Sequence, residues 1–281
     1  MRHWPPSTKH RGRIEGATTA VSEEDSAIDR FRRDRGKRAF DLLGASVRLI
    51  ATAPALALCL LAVWLADRRN PLYISARVGM HGREFRFLKV RTMRARSGAA
   101  AVDTTLADDP RITRCGRYIR ALKLDELPQL MHVIAGQMSL VGPRPNVPRE
   151  TALYTQIERR LLMVRPGITD IASIVFADLA QCLSAAGVAD ANIGYNQLVR
   201  PWKSRLSLHY IQIASMRTDA LMLFYTVSGM LARQWTLRRL SSLLRRTGAE
   251  PDLCDFVLRR TPLTPLPPPG ASEIVVSRLP K

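Results

Sequence analysis

Two adjacent carboxylates give this sequence its clearest chemical signal. Asp125 and Glu126 lie in the stretch LDELP, and Pro128 is a residue that the first turn of a helix accepts. We therefore expect a helix from near Asp125 to near Gly136, whose free N–H groups at the start favour an anion such as phosphate. The same residues also fit an ordinary N-cap, in which Asp125 only satisfies backbone donors.

Basic residues that could bind phosphate surround these acids in the sequence. Metal-assisted phosphoryl transfer requires a divalent cation that bridges carboxylate and diphosphate oxygens, with arginines to balance the developing charge. Neighbouring residues on a helix point about 100° apart, so Asp125 and Glu126 should have different roles. The turns GPRP and RPGIT suit either a phosphate contact or a plain loop. The basic candidates are Lys89, Arg91, Arg120, Lys123, Arg144 and Arg165.

Composition limits the partners of these groups. The chain has 281 residues, of which 46% are hydrophobic, so it can bury a core. A net charge of +19 favours an anionic partner, which could be nucleic acid, phospholipid or a phosphorylated substrate. The four cysteines are far apart and no histidines have metal-ligand spacing, which argues against zinc, iron–sulfur and disulfide scaffolds. The sequence contains no Walker A, GxGxxG or GxSxG motif.

A long apolar run predicts a membrane segment. Leu49 to Ala66 carries no charge over about 18 residues, or roughly 27 Å of helix, close to the thickness of a hydrocarbon core. Pro54 lies inside this run and favours a kink. Basic residues flank both ends, and the positive-inside rule places such flanks on the cytoplasmic side. A helix that bends at Pro54 and returns to the same face satisfies both flanks, with a single span or a buried core helix as the alternatives.

The remaining patterns predict an α+β domain. Short apolar runs at Leu72–Ile74 and Phe85–Val90 predict a hairpin around Arg77–Gly82. Residues 206–213 and 219–246 favour helices, and the second has a basic end and a leucine stripe. Such a helix fits either a bilayer interface or the protein's own core. The stripe consists of Leu237, Leu240, Leu243 and Leu244.

These patterns divide the chain into four segments. We expect a flexible basic segment at 1–35, a re-entrant membrane helix at 36–68, a cytosolic domain at 69–246 and a flexible Pro-rich tail at 247–281. The two end segments have too few apolar side chains to offset the entropy of folding. The predicted fold is a small membrane-associated α+β domain with a Pro-kinked re-entrant helix, a short β-hairpin and interfacial amphipathic helices.

Five sequence blocks together resemble the bacterial sugar transferase family, the monotopic phosphoglycosyl transferases that are also called polyprenyl-phosphate sugar-1-phosphate transferases. The resemblance covers roughly residues 36 to 230 and is to the family's minimal form, with one membrane segment. The blocks are KRAFDLLGA from Lys37, ARVGMHGREFRFLKVRTM from Ala76, DPRITRCGRYIRALKLDELPQL from Asp109, GQMSLVGPRP from Gly136 and VRPGIT from Val164.

The resemblance implies an enzyme at the cytoplasmic face of the bacterial inner membrane. It would transfer a sugar 1-phosphate from a nucleoside diphosphate sugar, usually a UDP-sugar, to undecaprenyl phosphate and release UMP, which starts the assembly of an exopolysaccharide, O-antigen or capsule-type glycan. By the same resemblance, Asp125 is the nucleophile that forms a phosphosugar intermediate beside Mg²⁺. Glu126 is implied as the metal-site partner or proton acceptor. Covalent catalysis of this kind divides one transfer into two displacements.

Further positions follow from the same resemblance. The implied substrate-binding residues are Lys89, Arg91, Arg120, Arg144, Arg165 and Asp219. Pro54 matches the family's helix-breaking proline, which favours re-entry, although the family's preceding serine is Ala53 here. The continuation G-x-A-Q-V-N-G-R after VRPGIT is replaced by a segment that starts at Asp170, so the sugar and the nucleotide stay open.

Two alternative functions would explain part of the same observations. A membrane-tethered nucleic-acid binder would use the positive charge, but it would leave the LDELP acids without a role. A catalytically silent scaffold of a polysaccharide assembly complex would share the fold without turnover. We expect inner-membrane phospholipid as a partner and no nucleic acid, and a homodimer is left open.

Overall fold

The computed structural model describes residues 34–94, 109–188 and 190–276, so almost all of the predicted segment 1–35 lies outside the described residues. The described part is mainly helical and contains two small sheets. The helices are α1 Arg35–Asp67, α2 Arg114–Ala121, α3 Gln129–Ile134, α4 Pro148–Thr151, α5 Ile171–Val175, α6 Leu179–Ala185, α7 Ala191–Gly194, α8 Arg200–Ile213, α9 Met216–Leu231, α10 Arg233–Arg246 and α11 Pro251–Phe256. The strands are β1 Leu72–Val78, β2 Glu84–Val90, β3 Ser139–Val141 and β4 Gly167–Thr169.

Strands β1 and β2 form the predicted hairpin. They pair antiparallel, with Leu72 opposite Val90 and Val78 opposite Glu84. The connecting turn contains Gly82 at φ 73°, a conformation that glycine adopts without steric cost. Phe87 and Val90 are three residues apart and therefore lie on opposite faces of β2. Each is buried, Phe87 in the main core and Val90 in a second cluster with Val63 and Ile119. The hairpin prediction is confirmed, and its second strand carries Lys89.

Strands β3 and β4 form a parallel pair that the sequence patterns did not predict. Ser139 lies opposite Gly167, and Val141 opposite Thr169. The backbone N–H of Gly167, at the start of β4, donates to the carbonyl of Pro143 in the loop after β3 at 2.9 Å. A Cβ atom on Gly167 would lie only 2.1 Å from the backbone nitrogen of Gly142, so this close approach requires glycine. The pair aligns the two turns GPRP and RPGIT side by side.

Helix α1 contains the predicted membrane segment. It is the one helix among the described residues that is long and apolar enough to cross a membrane. Residues near both of its ends contact the domain, because Ala45 belongs to the main core and Val63 packs with Val90 and Ile119. α1 is a single helix that runs through Pro54, and the return to the same membrane face at this proline stays a prediction.

The opposite face of α1 is apolar and exposed. Leu58 is 67% exposed and Ile50 is 75% exposed. Such a continuous exposed apolar surface is typical of a membrane or protein contact. The other large exposed apolar side chains of α1 are Leu42, Leu43, Val47, Leu61, Trp64 and Leu65.

The range 219–246, predicted as one helix, is divided between α9 and α10. Ala232 between them has non-helical dihedral angles, φ −139° and ψ 61°. The leucine stripe of α10 faces the protein core, since Leu237, Leu240 and Leu244 are at most 1% exposed. The structure therefore places this stripe in the protein's own core rather than at a bilayer interface. Exposed apolar side chains lie on α9, among them Leu231, and at Trp235 of α10, which is 42% exposed.

Much of the predicted flexible tail at 247–281 is packed against the domain. Leu253 and Cys254 of α11 are buried in the main core. The segment that follows, residues 257–276, is called the C-terminal strap below. Thr155 donates to the carbonyl of Pro269, and Arg205 donates to the carbonyl of Pro267 at 3.2 Å. The sequence suggested a loose tail because these backbone contacts with distant side chains leave no local pattern.

Candidate active site

Asp125 and Glu126 lie in a 3₁₀ turn, Leu124–Glu126, directly before α3. The expected helix start near Asp125 is wrong, because α3 begins at Gln129 and Pro128 occupies the N-cap position without a side-chain hydrogen bond. Pro128 has no N–H, so an α-helical hydrogen-bond ladder cannot continue through it. The expected end is confirmed, since α3 stops two residues before Gly136, which has φ 81°.

The two acids converge on a single lysine. The Nζ atom of Lys89 lies 3.4 Å from Oδ2 of Asp125 and 3.2 Å from Oε1 of Glu126. The side chain of Asp125 is 10% exposed and that of Glu126 is 17% exposed. Asp125 therefore contacts a cation instead of capping a helix. A partly desolvated pair of acids beside a cation is a site that can exchange one charged partner for another.

Arg144 completes this cluster from the other side. Its Nη1 atom lies 3.3 Å from Oε2 of Glu126, and its Nη2 atom donates to Oε1 of the same carboxylate. Nη1 also donates to the carbonyl of Ile168 at 3.0 Å, so β4 fixes the orientation of the guanidinium. The contact of Gly142 with Gly167 thus acts on the cluster through Arg144. We call Lys89, Asp125, Glu126 and Arg144 the charge cluster.

The charge cluster keeps Glu126 ionised. Burial by itself would raise the pKa of Glu126, but the charges of Arg144, Lys89 and Lys123 outweigh burial and hold this pKa well below its usual range. Burial opposes the charged form of Arg144, yet Glu126 opposite it raises the Arg144 pKa. At neutral pH the site therefore contains a carboxylate and a guanidinium that stabilise each other.

His132 connects the hairpin to the helix that follows the acids. Its Nε2 atom accepts a hydrogen bond from the backbone N–H of Leu88 at 3.1 Å, and its Nδ1 atom lies 2.7 Å from Oε1 of Gln137. The neighbour of Leu88 in β2 is Lys89. The buried histidine therefore helps to hold Lys89 beside the Leu124–Glu126 turn. No metal-ligand spacing involves His132, and the structure shows its ring in these two contacts.

Three predicted phosphate-binding residues make contacts outside the charge cluster. Arg91 donates from Nε to the carbonyl of Asn70 at 2.7 Å. Arg120 contacts the sulfur of Met93 at 3.7 Å. Arg165 donates from Nε to the carbonyl of Gly136 at 3.2 Å. The structure thus brings Lys89 and Arg144 to the acids, and the phosphate-binding roles of the other three stay predictions.

Asp219 lies in a separate buried network. It is 1% exposed, and its Oδ2 atom forms an ion pair with Lys37. The hydroxyl of Tyr210 donates to Oδ1 of Asp219 at 2.6 Å and lies 3.2 Å from the carbonyl oxygen of Val141. Burial raises the pKa of Asp219, an effect that Lys37 and Tyr210 oppose. A substrate could reach this carboxylate only by displacing these partners, and the sequence patterns did not identify Lys37 as one of them.

The two acids of the charge cluster fit a magnesium ion that is completed by substrate. Among the described residues, no group of three or more His, Cys, Asp or Glu side chains forms a metal cage. Mg²⁺ in enzymes is commonly held by one or two carboxylates together with substrate phosphates and water. Asp125 and Glu126 already converge on one cationic atom, Nζ of Lys89. The donor set therefore suits Mg²⁺ bound together with a diphosphate.

Comparison with known proteins identifies the family. A sequence model of the bacterial sugar transferase family matches residues 32–233. The exopolysaccharide production protein ExoY of Sinorhizobium fredii (strain NBRC 101917 / NGR234) is 35% identical over 228 residues, which cover 75% of this chain and 92% of that protein.

Two further relatives match a smaller part of the chain. The undecaprenyl-phosphate glucose phosphotransferase of Komagataeibacter xylinus is 44% identical over 145 residues, covering 49% of this chain and 27% of that protein. The UDP-glucose:undecaprenyl-phosphate glucose-1-phosphate transferase of Caulobacter vibrioides (strain ATCC 19089 / CIP 103742 / CB 15) is 37% identical over 151 residues, covering 52% of this chain and 56% of that protein. The chain thus matches little more than a quarter of the first relative and about half of the second.

The family match includes every element of the charge cluster, from β2 to β4. It also includes α1, the helix that is apolar enough to cross a membrane. The resemblance carried by the five sequence blocks is confirmed. The chain therefore belongs to the bacterial sugar transferase family.

Proposed function

We propose that this chain transfers a sugar 1-phosphate from a nucleoside diphosphate sugar to undecaprenyl phosphate, in the assembly of an exopolysaccharide-type glycan. The observation that carries the proposal is the charge cluster, in which Asp125 and Glu126 share Lys89 while Arg144 holds Glu126. The names of the relatives support it, since the K. xylinus protein is an undecaprenyl-phosphate glucose phosphotransferase. Relatives named for UDP-glucose favour a UDP-sugar as the donor.

In the first step Asp125 acts as the nucleophile. A carboxylate oxygen of Asp125 attacks the phosphorus that carries the sugar. A bond forms between this oxygen and phosphorus, while the bond to the bridging oxygen of the diphosphate breaks and its electron pair leaves with the nucleoside monophosphate. Lys89 lies 3.4 Å from Asp125 and can move onto the phosphate as the carboxylate loses its charge.

The other residues of the charge cluster orient the donor. Glu126 remains ionised and holds the guanidinium of Arg144, which can neutralise the charge on the leaving group. When bound, Mg²⁺ held by Asp125 and Glu126 would neutralise the diphosphate of the donor. The low exposure of both acids limits the access of bulk water, which would hydrolyse the acyl phosphate.

In the second step the lipid phosphate is the nucleophile. A phosphate oxygen of undecaprenyl phosphate attacks the same phosphorus, the bond between Asp125 and phosphorus breaks, and the electron pair returns to the carboxylate. The acceptor is confined to a membrane, and the exposed apolar face of α1 supplies a surface that can enter one. We assign the enzyme to the cytoplasmic face of the inner membrane, with phospholipid around α1. A bend of this continuous helix at Pro54 would return it to the same membrane face.

The test combines turnover with detection of the intermediate. Detergent-solubilised full-length protein is incubated with Mg²⁺, undecaprenyl phosphate and a panel of UDP-sugars, and UMP release is measured. In parallel, the protein is incubated with each donor alone and digested, and the masses of its peptides are measured by mass spectrometry. We expect UMP release with one donor and a sugar phosphate adduct on the peptide that contains Asp125.

Two variants make the test specific. Asp125→Asn should lose turnover and adduct, whereas Asp255→Asn, an exposed acid on α11, should retain both. Folded protein that releases no nucleotide from any nucleoside diphosphate sugar, and forms no adduct, would favour a silent scaffold over the transferase. Turnover that survives in Asp125→Asn would show that another residue is the nucleophile.

A further inference from the structure

Gln129, the first residue of α3, carries a buried amide without hydrogen bonds. The residue is 0% exposed. Within residues 34–94, 109–188 and 190–276, neither Oε1 nor Nε2 of Gln129 has a hydrogen-bond partner. A buried amide in this state costs folding free energy, because its donor and acceptor lose their bonds to water and gain none in return. Native proteins contain few such groups, and a functional role is one reason to keep them.

Gln129 lies one helical turn after the two acids. The backbone between them is helical, with φ −55° and ψ −37° at Leu127 and φ −59° and ψ −20° at Pro128. Residues four apart on a helix are neighbours, and each Cα–Cβ bond tilts toward the N-terminus. Gln129 is four residues after Asp125, so its Cα–Cβ bond points toward the turn that carries this acid. An amide and a carboxylate at this spacing can form a hydrogen bond.

Lys89 takes the place of this amide at Asp125. The Nζ atom of Lys89 lies 3.4 Å from Oδ2 of Asp125, and the lysine side chain is 25% exposed. Among the described residues, none donates a hydrogen bond to Oδ1 of Asp125. Lys89 can therefore move toward solvent and onto a substrate phosphate, whereas the fully buried Gln129 stays with α3. Once Lys89 has moved, Oδ2 of Asp125 requires another donor.

We propose that Gln129 is a positioning residue, which donates from Nε2 to Oδ2 of Asp125 once Lys89 has moved onto the substrate phosphate. The proposal rests on the proposed function, because it assigns a role within the two displacements at Asp125. Oδ1 forms the bond to phosphorus, and Oδ2 becomes the carbonyl oxygen of the acyl phosphate. The amide thus holds the carboxylate in one orientation throughout the reaction.

This hydrogen bond acts mainly in the second step. As an oxygen of the lipid phosphate attacks, the bond between phosphorus and Oδ1 of Asp125 breaks and its electron pair returns to the carboxylate. Negative charge then develops on Oδ2, and a donor stabilises a charged oxygen more than a neutral carbonyl oxygen. Gln129 therefore lowers the barrier for transfer of the sugar phosphate to the lipid. In the first step the charge leaves Asp125, so the amide contributes orientation alone.

The test measures stability and the two steps of turnover in full-length Gln129→Met, which removes both polar atoms and keeps a side chain of similar length. The amide is unpaired in the protein without substrate, so the variant should melt about 2–4 °C above wild type in detergent. The adduct on Asp125 should still form from the sugar donor. Its chase by undecaprenyl phosphate should be about tenfold slower, as expected for loss of a hydrogen bond to a charged group.

The matched control is Gln197→Met. The Nε2 atom of Gln197 donates to the carbonyl of Val275 at 2.9 Å, outside the charge cluster. This variant loses a hydrogen bond that is already formed, so it should melt below wild type and keep the wild-type chase rate.

A second comparison requires no turnover. In Lys89→Met the cation is gone, and Gln129 becomes the donor to Asp125. Adding Gln129→Met to Lys89→Met should therefore lower the melting temperature, although Gln129→Met alone raises it. The same increase in both backgrounds would show that Gln129 does not bond to Asp125 and would overturn the proposal.

The outcomes also distinguish this proposal from the proposed function. If wild type forms the Asp125 adduct but the adduct of Gln129→Met is chased at the wild-type rate, the role of Gln129 is wrong and the transferase stands. The same conclusion follows if Gln129→Met and Gln129→Leu both melt below wild type, because the amide then has a partner, such as water, before substrate binds. If wild type forms no adduct, both proposals are overturned.

Discussion

Lys37 and Asp219 are separated by most of the chain, yet their side chains form a buried ion pair with 2.5 Å between Nζ and Oδ2. Nζ of Lys37 also donates to the carbonyl of Val141 at 3.1 Å. Val141 is the last residue of β3 and precedes the loop that carries Arg144. The beginning of the apolar helix α1 is therefore bonded to the strand that positions the charge cluster.

We predict that breaking this pair destabilises the fold. Lys37→Met removes the ammonium group from the buried Asp219 carboxylate, and Asp219→Asn removes the carboxylate from Lys37. Each should lower the free energy of unfolding by about 3–5 kcal/mol, measured by denaturant unfolding in detergent. The double variant should lose less than the sum of the two, because the contact is shared.

The matched control is the exposed ion pair between Arg245 and Asp255, whose side chains are 57% and 66% exposed. Arg245→Met should cost less than about 1 kcal/mol, since water screens this pair. Equal effects of Lys37→Met and Arg245→Met would show that the buried pair has no special role.

The acid stability of the protein should depend on Glu126. Its pKa in the folded chain lies below the ordinary value of 4.5, so the unfolded chain takes up the proton more readily. The stabilisation from Glu126 is therefore complete above about pH 4.5 and is lost as the pH falls below it. As the pH is lowered from about 5 to about 3, the melting temperature of wild type should fall more steeply than that of Glu126→Gln. Parallel curves for the two proteins would contradict the ionised, paired state of Glu126.

The close approach of the two turns predicts a sensitive glycine. Gly167→Ala places a Cβ atom against the backbone nitrogen of Gly142, so β3 and β4 must move apart. We expect a loss of about 1–3 kcal/mol in unfolding free energy. Because Arg144 bonds to the carbonyl of Ile168, nucleotide release should fall as well. Gly187→Ala, in open space although at positive φ, is the comparison, and it should leave nucleotide release unchanged.

The exposed face of α1 predicts a clean test of membrane attachment. Leu58 is 67% exposed, so Leu58→Arg does not disturb the packing of α1 on the domain. In a bilayer the same change should cost about 2.5–3.5 kcal/mol near the centre of the hydrocarbon core. We expect the variant to appear in the soluble fraction after cell lysis and to remain folded. Val276→Arg, an exposed apolar position in the C-terminal strap, should stay in the membrane fraction with wild type.

The C-terminal strap should stabilise the domain although it lies beyond the residues that match the family. A chain that ends at residue 260 keeps α11 but loses the bonds to Thr155, Gln197 and Arg205. We expect it to lose about 1–3 kcal/mol of unfolding free energy, since each such bond contributes about 1 kcal/mol. Limited proteolysis is a second measurement. We expect the shortened chain to be cleaved near Thr155 faster than the full-length chain. An unchanged melting temperature would contradict this role.

Several elements followed from local sequence. The hairpin was predicted because its apolar runs flank a glycine-containing turn, and α1 was predicted because its charge-free run is long. The start of α3 was misplaced by a few residues, since local rules allow Pro128 either inside the first turn or at the cap. The buried side of α10 could not be chosen from its stripe, because a bilayer and a protein core favour the same apolar side chains.

The sequence by itself determined which residue types were available for chemistry, namely the acids of LDELP and the basic residues near them. It also determined the length of the apolar helix, because all of these depend only on the order of residues along the chain. Only the tertiary structure decided which of those groups meet. It selected Lys89 and Arg144 for the acids and paired Asp219 with Lys37. Such contacts join residues far apart in the chain, and they are fixed by the packing of whole elements rather than by local conformation.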